Sequence, residues 1–197
     1  MSGYRVGVVS ARERDRGARA ERAVVGLDLS ITATGVAWED GSVETIALPA
    51  KLGDERLHHI RRKLSYDGFY EGDACEPHLV VIEDLPTHAR AAGITGMVHG
   101  AVRSLLIEHR TPYALVTPAT LKKYATGKGN ADKTAMALAL YKRTGLEFDD
   151  DNQVDAWWLR AAGLHHLGCP IVDVPQAQAD ALAKVEWPTL DEMDGAA

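Results

Sequence analysis

Three carboxylates stand where a carboxylate is costly, and their types and surroundings suggest metal chemistry. Asp28 lies in the apolar run Val24-Val25-Gly26-Leu27-Asp28-Leu29. Glu83 closes the run Leu79-Val80-Val81-Ile82-Glu83. Asp155 follows Asp149-Asp150-Asp151-Asn152-Gln153-Val154, at the start of a helix-like stretch. Short apolar runs bounded by turn residues read as buried strands. A charge inside such a run is unfavourable unless something pairs it. Several converging carboxylates make a hard-oxygen site suited to Mg²⁺ or Mn²⁺. Two such ions about 4 Å apart activate a water and stabilise the leaving oxygen in phosphodiester hydrolysis. Helix positions three and four apart share a face, so Asn152 or Asp151 can join Asp155. Each acid alone also has a plainer reading. A strand Asp often ends a turn, and acids at a helix start favour its dipole. Their joint occurrence favours a catalytic set.

The elements that must position these acids follow in order. Strands are expected at 23–29, 35–38 and 42–48, with Asp40-Gly41 as a hairpin turn. A helix is expected over 53–66, a strand over 79–84 and a long helix over 89–110. A short strand at 112–116 precedes a helical turn at Pro118 and a loop at 126–130. Helices are then expected over 131–144, with Asn130 as N-cap, and over 152–167, closed by Gly168. This order implies an α/β domain, a mixed sheet with helices against it. Asp28 and Glu83 would stand side by side on neighbouring strands. Asp84 would point to the opposite face from Glu83. Residues 1–22 mix Arg, Glu and Asp without apolar periodicity and read as a flexible extension. Residues 23–175 form the expected domain, and 176–197 an acidic tail.

The chain has 197 residues, 46% of them hydrophobic and 25% charged, as in an ordinary globular protein. No stretch is long enough to span a bilayer, and the N-terminus lacks the order of a signal peptide. The two cysteines fit no metal or redox spacing, so a cytoplasmic location is expected. Net charge is -6, but from Arg90 to Lys133 basic residues outnumber acids seven to two. A local basic patch says more about a phosphate partner than total charge does.

Three segments resemble RuvC-type Holliday junction resolvases. They are Gly26-Leu27-Asp28-Leu29-Ser30, Val80-Val81-Ile82-Glu83, and the run from Pro118 to Lys133. The last carries a proline, a lysine, the loop Gly127-Lys128-Gly129 and Ala131-Asp132-Lys133 in unbroken register. The resemblance covers 24–167 and is that of a divergent member. It implies an RNase H-like fold, a mixed five-stranded sheet flanked by helices. It also implies a homodimer packed through helix 89–110, where Gly93, Gly96 and Gly100 permit close approach. The implied activity is Mg²⁺-dependent (or Mn²⁺-dependent) hydrolysis of branched DNA with paired nicks, using two ions per site. Asp28, Glu83 and Asp155 fall on three of the four acidic ligands. The fourth falls on Asn152, with Asp151 one residue earlier as the alternative. Lys122 and Lys133 fall on lysines serving DNA binding or catalysis. Lys123, Lys128 and Arg90 extend that basic surface. The family's aromatic after the strand glutamate is missing, since Pro86 and His88 occupy that loop. A branch-migration motor or a DNA-packaging machine are both compatible deliverers of substrate.

Two other classes compete with this reading. An ATP-binding phosphotransferase of the actin and sugar-kinase type also has Asp, Gly and Thr after its first strand, as from Asp28 to Gly35. That fold needs a second domain and a second glycine-rich loop, and neither is found. A catalytically silent DNA-binding module would have no reason to keep Asp28, Glu83 and Asp155.

Overall fold

The computed structural model describes residues 22–65, 69, 76–85 and 92–189. The extension expected over 1–22 lies outside them, Arg22 excepted, as do Pro86, His88 and Arg90. Strands β1 (Val24–Asp28), β2 (Ala33–Ala37), β3 (Val43–Ala47), β4 (Leu79–Glu83) and β5 (Tyr113–Val116) form one sheet in the order β3-β2-β1-β4-β5. β1–β2 and β2–β3 are antiparallel, whereas β1–β4 and β4–β5 are parallel. The helices are α1 (Glu55–Leu64), α2 (Ala92–Glu108), α3 (Pro118–Thr126), α4 (Lys133–Thr144) and α5 (Asp151–His166). This is the mixed five-stranded sheet flanked by helices that the sequence implies.

Strand alternation sorts the side chains onto two faces. Val25, Leu27, Val80 and Ile82 pack with Ile60 and Leu64 of α1 and with Val98, Val102, Leu105 and Leu106 of α2. Val24, Leu79 and Val81 pack on the other face with Leu121 and Tyr124 of α3, Met136 and Leu140 of α4, and Trp158 of α5. Asp28 is in phase with Val24, and Glu83 with Leu79 and Val81. Both carboxylates therefore belong to the α5 face. In the parallel β1–β4 register Leu27 faces Ile82, so Asp28 and Glu83 are the next neighbours along the two strands.

α5 is the central helix of that face. Ala156, Trp158, Leu159, Ala161 and Ala162 on it are fully buried. It lies directly on the sheet because two strand residues have no side chain. A Cβ on Gly26 would meet the Ala156 carbonyl oxygen at 2.1 Å, and one on Gly35 the Asn152 carbonyl oxygen at 2.1 Å. No side chain could fit at either place without moving the helix.

Several boundaries differ from expectation for local reasons. The first helix begins only at Glu55, after a 3₁₀ turn over Ala50–Leu52. Pro118 opens a helix of 9 residues rather than a single turn, with Thr117 accepting from the Thr120 amide as N-cap. α4 is capped by Asp132, which accepts from the Ala135 amide at 2.8 Å, and not by Asn130. α5 begins at Asp151 with Asp150 as its cap, one residue before the expected start. Residues 176–184, expected within a tail, form helical turns with Ala181 and Leu182 buried near α3. Trp187 stacks on His166 with ring centroids 4.3 Å apart. Arg143 ties this segment down through the Asp173 carbonyl at 2.7 Å and Gln178 at 3.0 Å.

The close contact of α5 with β1 and β2 has a direct test. Gly26→Ala and Gly35→Ala are each expected to destabilise the fold by ~1–3 kcal/mol or more, as overpacked cores do. Gly100→Ala, where a Cβ meets nothing within 4 Å inside the chain, is the contrast, expected to keep stability or raise it slightly because alanine favours a helix. Chemical denaturation of the three variants checks this.

Candidate active site

The ends of β1 and β4 and the first turns of α5 bring Asp28, Glu83, Asp155 and Asp151 together. Each of the first three carboxyls is held above its ordinary range. Asp28 is pushed up to about 7, first by burial, then by the charges of Asp155 and Asp151, with Lys133 opposing. Glu83 is pushed up to about 8, first by burial and then by Asp28 and Asp155, with Lys122 opposing. A side-chain hydrogen bond between Glu83 and Asp28 adds to this, and two carboxyls can share one only by holding a proton. Asp155 is pushed up to about 6 by burial first and then by Asp151, against Lys122 and Lys133. Desolvation and like charge act in the same direction here.

The two cations divide the site between them. Lys122 on α3 acts on Glu83 and Asp155, and Lys133, the first residue of α4, acts on Asp28 and Asp155. Lys133 also forms an ion pair with Asp151, which raises the pKa of its ammonium. Lys123 and Lys128 are both exposed. Lys128 lies in the loop joining α3 to α4, where its amide bonds Thr126 Oγ1 at 3.1 Å.

The acidic run before Asp155 splits into distinct roles. Asp150 caps α5, its Oδ1 accepting from the Gln153 amide at 3.0 Å. Gln153 in turn accepts from the Asp149 amide at 3.3 Å. Burial raises the Asp150 carboxyl, but hydrogen bonds from Thr45, Gln153 and Asn152 outweigh this and hold it below its ordinary range. Asn152 thus acts on Asp150, whereas the charge of Asp151 bears on Asp28 and Asp155. Asp150 was not among the residues singled out from the sequence. Its signal was present as a capping box, Asp150-x-x-Gln153, which places the helix start at Asp151. On the opposite face Asp84 accepts from the Leu85 amide at 2.8 Å and acts on the buried His99 of α2.

The donor set is made of hard carboxylate oxygens, the kind that suits Mg²⁺ or Mn²⁺. Among the described residues, no three His, Cys, Asp or Glu side chains form a ready-made metal cage. The two observations are compatible. Asp28 and Glu83 are drawn to each other by a shared proton, and Asp151 is drawn to Lys133. The residues fit a divalent ion chemically, and the acids feel one another's charge without enclosing a common point.

No protein-family model matches the chain. Among solved structures it is similar to Thermus thermophilus RuvC in complex with Holliday junction substrate. The TM-score is 0.58 at 19% identity, over 78% of this chain and all of that one. It is also similar to a structure of Thermus thermophilus RuvC, with a TM-score of 0.57 at 21% identity, over 77% of this chain and 99% of that one. The fold is RuvC-like. At this identity the likeness concerns the RuvC-like backbone arrangement, and the chemistry has to be argued from the residues of this chain. No helix among the described residues is long and apolar enough to cross a membrane.

Crowding of the acids has a stability consequence. Glu83 and Asp28 keep protons in the folded state up to about 8 and about 7. In the unfolded chain such groups ionise near 4. Between these limits the folded state binds more protons, so stability falls as pH rises from ~4 to ~8. Glu83→Gln removes one of the charges. It is expected to raise the melting temperature of metal-free protein at pH 8 by a few degrees, roughly the effect of 1–2 kcal/mol. At pH 4.5 the gain should be much smaller. Melting curves with a chelator present at the two pH values decide this.

Proposed function

We propose that this protein is a metal-dependent, structure-selective DNA endonuclease that resolves Holliday junctions and related branched DNA by paired nicks. The observation that carries the reading is the gathering of Asp28, Glu83, Asp155 and Asp151 at one end of a RuvC-like sheet, with Lys122 and Lys133 beside them. Asp28, Glu83, Asp155 and Asp151 are the groups that would hold Mg²⁺ or Mn²⁺. Asn152 is the weaker candidate, because its side chain is bonded to Asp150. When bound, a pair of such ions supplies an activated water and charge stabilisation at the leaving oxygen. With such ions held there, Asp28 and Glu83 would be ionised, their proton passing to solvent, and would present charged oxygens. Lys133 exchanges its Asp151 partner for a phosphate oxygen, and Lys122 holds the phosphate from the Glu83 side. Lys123 and Lys128 extend the cationic track for the DNA backbone, where contacts add affinity without sequence preference; Arg90, outside the described residues, is a further candidate for it by sequence.

Paired nicks require two active sites, and α2 offers a surface for joining two copies. Ile94, Met97 and Ile107 are exposed on it, at 54%, 42% and 65%. They form one stripe with Gly93 and Gly100, whose Cβ positions meet nothing within 4 Å. An apolar stripe of small and large residues suits a two-fold helix contact. A homodimer through α2 would place two sites on one junction.

Asp28→Asn and Glu83→Gln are each expected to abolish Mg²⁺-dependent cleavage of a synthetic four-way junction while binding persists. Asp151→Ala should cost at least ~10-fold more activity than Asn152→Ala, the scale on which metal-site residues act. The panel should include a three-way junction, a flap and linear duplex. Cutting of linear duplex at the same rate would defeat the structure-selective reading. For the dimer, Met97→Glu is expected to sediment as a monomer at a concentration where the unaltered chain sediments as a dimer.

A further inference from the structure

Thr45 lies on edge strand β3, in no motif and far from the acids in sequence. Its Oγ1 donates to Asp150 Oδ2 at 2.7 Å, across 105 positions of chain. Asp150 already serves as the helix cap through its other oxygen. The second bond is not needed for capping, which requires one acceptor. What it adds is a fixed rotation and height for the first turn of α5. The sheet register explains why this matters. Gly35 pairs with Asp28 on one side and with Thr45 on the other. Glu83, Asp28, Gly35 and Thr45 therefore form a row across four strands. The first turn of α5 lies over that row, with the Asn152 carbonyl pressed against Gly35. Thr45 pins the turn at one end of the row, and Asp151, the next residue after Asp150, is paired with Lys133 and bears on Asp28 through its charge.

We infer that Thr45, acting through Asp150, is a positioning residue for the acid site, holding the start of α5 so that Asp151 and Asp155 stay directed at Asp28. It rests on the metal-site reading above. Thr45 touches neither metal nor DNA in this role. Its bond orients the backbone that carries a ligand, as hydrogen bonds behind metal ligands commonly do. The bond also explains the use of consecutive acids. Asp150 is committed to Thr45 and the cap, and the charge of Asp151, paired with Lys133, is the one of the two that bears most on Asp28 and Asp155.

The test compares the unaltered full chain with Thr45→Val and Thr45→Ser. Valine keeps shape and strand preference but loses the hydroxyl, and serine restores it. Mn²⁺ is titrated by its effect on melting temperature, and in parallel Mg²⁺ is varied in four-way junction cleavage. Thr45→Val is expected to weaken apparent Mn²⁺ affinity about tenfold and to shift the Mg²⁺ dependence of kcat equally, with KM for the junction unchanged. Thr45→Ser should recover both. An unaltered Mn²⁺ titration in Thr45→Val overturns the inference. So does a lower metal-free melting temperature with metal affinity intact, the mark of plain packing. If Thr45→Val does not fold, Asp150→Ser carries the same comparison, because serine still caps a helix but has a single oxygen and no second arm to bond Thr45. A wild type that binds Mn²⁺ yet cuts no junction defeats the nuclease reading, and the titration still decides the role of Thr45. A wild type that binds no Mn²⁺ overturns both.

Discussion

Everything at the acid site depends on how closely α5 lies on β1 and β2. The missing side chains at Gly26 and Gly35 let helix backbone touch strand backbone. That contact carries the first turns of α5 to the end of β1, where Asp28 stands. Acids brought together this way repel one another and lose water. Burial and like charge both push their pKa values up, burial first. The rest of the helix compensates, burying Trp157 and Trp158 in a mutual edge-to-face contact at 5.1 Å against α3 and α4. A site unfavourable for the metal-free fold is thus held in place by packing remote from it. Such local conflict is common where a structure serves chemistry.

The supporting polar groups follow the same geometry. Lys122 enters from the middle of α3 and Lys133 from the first position of α4, helices whose N-caps, Thr117 and Asp132, are supplied by the residues before them. Each lysine approaches a different part of the cluster. Thr45 and Asp150 fix the opposite flank from the sheet edge. The acids therefore have two cations beside them and, on the flank at the sheet edge, a hydroxyl-to-carboxylate hydrogen bond. Asp84 goes to the other face of the sheet, toward His99, because the pleat reverses direction at every residue. The face that carries α2 thus lies behind the site, and the apolar stripe on α2 is available for a second copy.

Much of this was legible in the chain. The apolar runs around Asp28 and Glu83 read as strands because they are short, continuous and bounded by turn residues. The alternation of Val24, Gly26 and Asp28 already assigns them one face. Asp155 read as a helix residue for similar reasons. Asn152 is the expected start of α5, one residue later than the observed Asp151, because an N-cap is set by a side-chain bond and not by apolar periodicity. The capping box with Gln153 carried the better signal. Asn130 was preferred as the cap of α4 on the same kind of local ground, although Asp132 makes the bond.

By itself, the sequence determined the elements, the face each acid takes on its strand, and the hard-oxygen character of the site. Periodicity and residue chemistry are local properties, and they survive being read along a line. Only the tertiary structure decided that Gly26 and Gly35 are contact points, and that Thr45 reaches Asp150 across 105 positions. It also decided that Asp151 pairs with Lys133 beside Asp28 and Asp155. Those outcomes depend on strand register and on the distance of helix from sheet. Both arise from packing among segments far apart in the chain, and no local pattern encodes them.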